Sequence, residues 1–312
     1  AWYYNVYLLS WWPLIGIVCI WVSMWYFMTR GVRFLEKVML PARLISLGIL
    51  GVMLVLVLAA LPNAWQGITF VLDPDPTPLF MPGIWAATMS LAFWRVGVGY
   101  GAIPAYSSYL PKGGEINNSS VTTTFADTII SFTAAFAVFG LAIGSLVPPK
   151  GGATLGFETL PAGLFGLGTT GVALGGLFYF VLFFMSYFSQ MAMVEAFNAA
   201  LIDKWGISRR MSTTLYFIFV AAIGLICLNP QFDPDYGSLG VKSLYAMDYW
   251  ASGMIIVVCL VELIAVVTGI GLGKFLNHIN APSDFKWPKW LWYLACGIAV
   301  VVIVYVVYDY FT

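Results

Sequence analysis

Charge is scarce in this chain, and so are the residues that build most catalytic and metal sites. Only 9% of the 312 residues are charged, against about a quarter in soluble domains. Lys+Arg and Asp+Glu number 14 each, so the zero net charge points to no nucleic-acid or acidic partner. A single histidine, His278, falls in a loop by the pattern, which excludes a haem or a histidine-based metal centre. The cysteines are few, and Cys19, Cys227, Cys259 and Cys296 all fall in apolar stretches, where they read as small packing residues. No nucleophile–base set, metal cluster or cofactor motif is found, so neither an enzyme nor a bound cofactor is expected. No basic region precedes the first apolar run, so no cleavable secretory signal is read.

What is present is hydrocarbon. Residues of the apolar and aromatic classes make up 61% of the chain, with a mean hydropathy of +0.89. The apolar runs cover residues 3–28, 42–61, 83–110, 121–146, 171–202, 211–229, 249–272 and 289–311. Runs of about 20 residues predict membrane-spanning helices, whereas a membrane barrel would need short alternating strands. The fold class is therefore an all-α polytopic membrane protein, one transmembrane domain over residues 1–312, with the lipid bilayer as its first partner.

Alternate loops divide the basic residues unequally. One side carries Arg30, Arg33, Lys37, Arg43, Lys112, Lys204, Arg209, Arg210, Lys274, Lys286 and Lys289; the other carries only Lys150 and Lys242. The positive-inside rule makes the first group cytoplasmic and places both ends of the chain outside. Among the external loops, residues 62–82 contain Asp73-Pro74-Asp75-Pro76 and read as irregular surface. The Gly/Pro-rich loop 147–170 reads as a folded cap, and residues 230–247 carry Asp233 and Asp235 between prolines.

Arg95 is the only Lys or Arg away from the ends of an apolar run, and it sits in Trp94-Arg95-Val96-Gly97-Val98-Gly99-Tyr100-Gly101. A central Arg costs about 2.5–3.5 kcal/mol on insertion scales, so it should face a cavity or a carboxylate. The glycines allow two readings, close helix packing or a broken helix that forms a binding site; the adjacent Arg favours the second. The other ionisable groups in or near the runs are Asp127, Glu195, Asp203, Asp248 and Glu262. Asp203 and Asp248 lie near ends where water reaches, Asp127 follows Thr122, Thr123 and Thr124, and Glu195 and Glu262 lie deeper. Each of the last two is either a buried structural hydrogen-bonding group or part of a transport path.

These stretches resemble the neurotransmitter:sodium symporter family, which has the LeuT-type fold. Trp94 to Gly101, followed by Tyr106-Ser107-Ser108-Tyr109, is similar to that family's sixth helix. Arg30-Gly31-Val32 through Lys37 and Pro41 resembles the link between its fourth and fifth helices. Gly156-Phe157-Glu158-Thr159-Leu160-Pro161 resembles its fourth external loop. Ser189-Gln190 with Glu195 and Asp203 resembles its eighth helix, and Asp248-Tyr249-Trp250 with Glu262-Leu263-Ile264 its tenth.

The resemblance covers essentially the whole chain and corresponds to the family's helices four to eleven, without the first three. It implies a helix interrupted near residues 97–101 and a substrate-like site at Trp94, Gly97, Gly99 and Gly101. It places Arg95 and Asp127 at first-sodium-site positions, where they would form an ion pair in place of the ion. It places Met185, Phe188 and Ser189 at the second sodium site, where Phe188 offers no oxygen, and Asp248 at an external gate. The implied function is secondary transport of a small amino acid or amine in a bacterial-type inner or plasma membrane, with sodium coupling lost. The alternative is a transport-inactive subunit held among other membrane subunits.

Overall fold

Hydrocarbon supplies no hydrogen bonds, so an apolar chain satisfies its backbone by coiling into helices. The computed structural model of the protein describes residues 12–111, 113–148, 155–227 and 240–311, which form helices, turns and short links with no strand. Asp233, Asp235, Lys112, Lys150 and the beginning of the first apolar run lie outside the described residues.

Helix α1, Trp12–Thr29, ends two residues before Gly31 (φ +92°), and α2, Val32–Ala60, starts immediately after that glycine. The basic link expected between two spans is thus the first part of α2, which continues through Pro41. A second correction concerns residues 62–82, expected to be irregular. They contain α3, Ala64–Leu72, and a 3-10 turn at Thr77–Phe80. Pro62 before it and Asp73-Pro74-Asp75-Pro76 after it hide a proline-free segment whose Ala64 and Gly67 are buried. Beyond it, Asp75 accepts from the Thr77 hydroxyl and amide at 2.6 and 2.9 Å.

The third apolar run is divided into α4, Pro82–Val96, and α5, Ala102–Ser107, with the break where the glycines cluster. Helix α6 spans Ile116–Gly144. The Gly/Pro-rich loop folds as a π turn, Leu155–Thr159, leading into α7, Leu160–Phe165. Then come α8, Gly168–Trp205, and α9, Arg209–Cys227. Helix α10, Gly240–Ala265, begins inside the segment 230–247 that the sequence assigns to a loop. It runs through a π turn at Val266–Ile270 into α11, Leu272–Asn280, so His278 is helical and exposed rather than in a loop. Helix α12 is Lys289–Phe311.

Among the described residues, Val32–Ala60, Ile116–Gly144, Gly168–Trp205 and Ala246–Ile270 are long and apolar enough to cross a membrane, and Leu14–Thr29 and Lys289–Val301 are shorter apolar stretches. Of the two other expected runs, the third is interrupted by glycine at α4–α5, and the run over residues 211–229 continues beyond the described residues.

The chain divides into two compact units. One comprises residues 37–80 and 119–190, and its interior is apolar. Leu50, Met53, Val57 and Leu61 recur at helical spacing on α2, Ala137 and Leu141 on α6, Leu160 and Leu164 on α7, and Leu174, Phe178 and Val181 on α8. One of its close helix approaches is glycine to glycine: a Cβ at Gly67 on α3 would overlap the backbone of Gly140 on α6. The other unit comprises residues 1–36, 81–118 and 191–312. There α1 lies along α9, while α10 touches α4, α9 and α12.

Candidate functional site: the broken helix and the buried polar residues

Helix α4 ends because its last turn meets glycines in a backbone region that other residues rarely adopt. Gly97, Gly99 and Gly101 have φ of +80°, +87° and +75°, which L side chains reach only with strain. The amides of Gly97 and Val98 both donate to Phe93 O at 3.1 Å, and the ladder resumes only where Ala105 donates to Gly101 O. Between these points the backbone finds other partners. The Glu262 carboxylate of α10 is turned toward the Gly99 backbone. The Tyr100 hydroxyl donates back to Trp94 O at 3.1 Å, with the two rings 5.6 Å apart.

The glycine run both packs closely against a neighbouring helix and breaks its own, at different residues. Gly99 is buried, and a Cβ there would lie 2.6 Å from Ile255 O and 2.8 Å from Cys259 Sγ on α10. At Gly101 the nearest atom to such a Cβ is 3.9 Å away, so that glycine serves conformation rather than close approach. On the neighbouring turn of α4, the Ser90 hydroxyl donates to Ser252 O at 3.3 Å.

Trp94 and Arg95 are both exposed at this break. Asp127 is half-buried on α6 and belongs to the other compact unit. Phe188, at the second-sodium-like position on α8, is 4% exposed and meets the Tyr187 ring edge-on at 5.6 Å. Met185 is half-buried and Ser189 exposed. Asp248 is exposed, with its neighbours Tyr249 and Trp250 in edge contact. Glu262 is half-buried rather than buried, its carboxylate turned to the break.

Glu195 is fully buried on α8, as expected, and its partners come from two other segments. Tyr109, just past α5, donates to Oε1 at 2.8 Å, and the Arg209 guanidinium at the start of α9 pairs with Oε2. Arg209 Nε also donates to Met28 O at 2.9 Å, fastening α1 to the same point. One turn along α8, Asn198 accepts from the Ser212 hydroxyl at 2.7 Å and donates to the Thr213 hydroxyl at 3.0 Å. Sequence reasoning missed Tyr109, Asn198, Ser212 and Thr213, and it used Arg209 only as a topological charge. The available signal was the hydroxyl run Ser212-Thr213-Thr214 in an otherwise apolar helix. Among the described residues there is no group of three His, Cys, Asp or Glu suited to hold a metal ion.

An all-helical, membrane-spanning chain whose mid-chain helix is opened by left-handed glycines has the architecture of a LeuT-type transporter. The solved structure of MhsT in complex with L-phenylalanine shares this fold, with a TM-score of 0.78 over 95% of this chain and 67% of that one, at 21% identity. The sodium:neurotransmitter symporter family matches residues 7–311, and the chain belongs to that family. The uncharacterized sodium-dependent transporter MJ1319 of Methanocaldococcus jannaschii is 30% identical over 289 residues, which cover 89% of this chain and 56% of that protein. The Homo sapiens sodium- and chloride-dependent creatine transporter 1 is 25% identical over 302 residues, 91% of this chain and 46% of that one. The chain spans about half the length of the curated relatives it matches.

Proposed function

We propose that the intact gene product is a secondary transporter of a small amino acid or amine, and that it does not couple transport to sodium through the family's two sodium sites. Supporting transport is the break itself: glycines open α4–α5, and Gly99 packs closely against Ile255 and Cys259 of α10. Such discontinuous helices place backbone groups at substrate and ion sites. Trp94, Gly97, Gly99 and Gly101 are the proposed substrate-facing set, and Asp248 the external-gate residue.

The loss of coupling rests on side-chain chemistry. Sodium is a hard cation that needs several oxygen ligands. The guanidinium of Arg95 repels it, Asp127 is the proposed counter-charge of Arg95, and the buried ring of Phe188 offers no oxygen. Chain segments equivalent to helices one to three of the family, outside residues 1–312, would complete the transporter. The basic links are proposed to be cytoplasmic.

Uptake into proteoliposomes of labelled amino acids and creatine, by the intact gene product, tests this reading. Uptake is expected to be unchanged when choline replaces sodium. A dependence of roughly fivefold or more, the lower bound of ordinary coupling energies, would overturn it. The Arg95→Thr/Asp127→Asn variant is expected to acquire a sodium response. Absence of uptake and of substrate binding, together with co-purification in a larger assembly, would favour the alternative role as a transport-inactive membrane subunit.

A further inference from the structure

Helix α1 has one side committed to α9 and another left open. On the committed side, the Trp25 indole N–H donates to the Thr214 hydroxyl at 2.9 Å, and Met28 O accepts from Arg209. On the open side, Ile15, Val18, Val22 and Tyr26 follow one another at three- and four-residue steps and are 46–61% exposed. That spacing lays them in one stripe along the helix. The next step is Arg30. Its guanidinium donates to the Tyr26 hydroxyl and lies over the Tyr26 ring at 4.6 Å, with the Phe34 ring at 5.9 Å.

The facing end of α9 repeats the arrangement. Met211, Leu215 and Ile218 are exposed at helical spacing, and Arg210 just before them reaches across to lie 5.3 Å from the Trp25 ring centre. Two guanidiniums therefore rest on adjacent α1 residues, Trp25 and Tyr26, at the point where two apolar stripes end. Among the described residues neither has a carboxylate partner; the carboxylate of this region, Glu195, is held by Arg209.

We propose that this end of the α1–α9 pair binds one anionic phospholipid. Its acyl chains would lie along the exposed stripes and its phosphate would meet Arg30 and Arg210. Charge complementarity carries the assignment, because arginine offers paired donors that match phosphate oxygens, and basic sites beside membrane helices take anionic headgroups. The stripes select a lipid over a free anion, since a soluble phosphate would gain nothing from them. The ring contacts already restrain both cations, so little side-chain freedom is lost on binding. The site is independent of which substrate, if any, is transported.

Native mass spectrometry of the intact gene product, released from nanodiscs holding equal amounts of phosphatidylglycerol and phosphatidylcholine with matched chains, tests it. Preferential retention of phosphatidylglycerol is expected. Arg30→Gln and Arg210→Gln should each reduce that retention roughly fivefold, the effect of one basic residue near an anionic surface. Lys274→Gln, an exposed cation on α11, should leave it unchanged. Millimolar inorganic phosphate should not displace the lipid. Equal retention of the two lipids, retention unaffected by the arginine variants, an equal loss in Lys274→Gln, or displacement by phosphate would each overturn the proposal. If Arg210→Gln fails to give a monodisperse protein, Arg30→Gln, beyond the last turn of α1, is read by the same criteria.

Discussion

The two compact units of this chain both bury hydrocarbon, but one of them also buries a hydrogen-bonded polar cluster. In the unit of residues 37–80 and 119–190 the interior is side-chain hydrocarbon around Leu50, Met53, Val57, Leu141 and Leu160, tightened by the Gly67–Gly140 contact. In the other unit the most deeply buried residues include Glu195, Asn198, Ser212 and Thr213, each with a hydrogen-bond partner. Inside a bilayer this difference matters more than in water. Lipid tails are as apolar as leucine, so burying leucine between helices gains dispersion and fit but little hydrophobic energy. A buried carboxylate, by contrast, has no acceptable alternative to its partners. The apolar unit is therefore held by shape and the polar unit by satisfied donors and acceptors, and the two should fail differently.

The largest expected effect follows from breaking the polar side. Glu195→Ala removes the acceptor shared by Tyr109 and Arg209, and leaves a guanidinium that is only 22% exposed without its charge partner. Losing one member of a buried pair costs about 3–5 kcal/mol. Reversible unfolding of the intact gene product in mixed micelles measures it. Glu195→Gln, which keeps an acceptor for Tyr109, should lose distinctly less. A cost below about 1 kcal/mol for Glu195→Ala, the range of exposed ion pairs, would remove the contrast between the units.

How much of this was legible in the sequence depends on which physics each part uses. The helix break could be read because glycine is nearly alone in tolerating the backbone that Gly97, Gly99 and Gly101 adopt. The deep position of Glu195 could be read because a carboxylate in an apolar run must be accounted for. Its partner could not: Arg209 lies past the Trp205–Arg209 turn, where any basic residue also satisfies the sidedness pattern. The apolar core was hidden for a different reason. Exposed Ile45 and buried Leu50 on α2 are chemically alike, and with lipid outside, hydrophobicity no longer distinguishes core from surface. Helix α3 was masked by its flanks, since Pro62 before it and the prolines and aspartates after it signal turns more strongly than nine residues without a side-chain cap signal a helix.

Shape can be tested with one methyl group. Gly67→Ala places a Cβ into the backbone of Gly140, which cannot rotate away as a flexible side chain would. Overpacking of this kind costs about 1–3 kcal/mol. Gly48 on α2 provides the control, because a Cβ there meets nothing within 4 Å. Gly48→Ala should be neutral or stabilising by up to about 1 kcal/mol through helix propensity. Thermal midpoints of the two variants, compared in one detergent, separate fit from propensity. Equal shifts would mean that the apolar unit is not held by close approach.

The smallest expected effect concerns an exposed polar turn of the apolar unit. Asp75 is fully exposed, and hydrogen bonds from the Thr77 hydroxyl and then the Thr77 amide hold its carboxyl below the usual aspartate range. A depressed carboxylate pKa stabilises the fold above the unfolded value of about 3.9, and that contribution fades as pH falls through the lower folded value. Asp75→Asn should therefore lower the thermal midpoint slightly at pH 7, and the gap between variant and parent should shrink as the pH is lowered toward 3. Because the turn is surrounded by water, the gap should be far smaller than that of Glu195→Ala. A gap that instead widens toward low pH would mean that the Thr77 bonds favour the protonated carboxyl, contrary to the acceptor geometry. A gap as large as that of Glu195→Ala would mean that an exposed turn stabilises the apolar unit as strongly as a buried carboxylate stabilises the polar one.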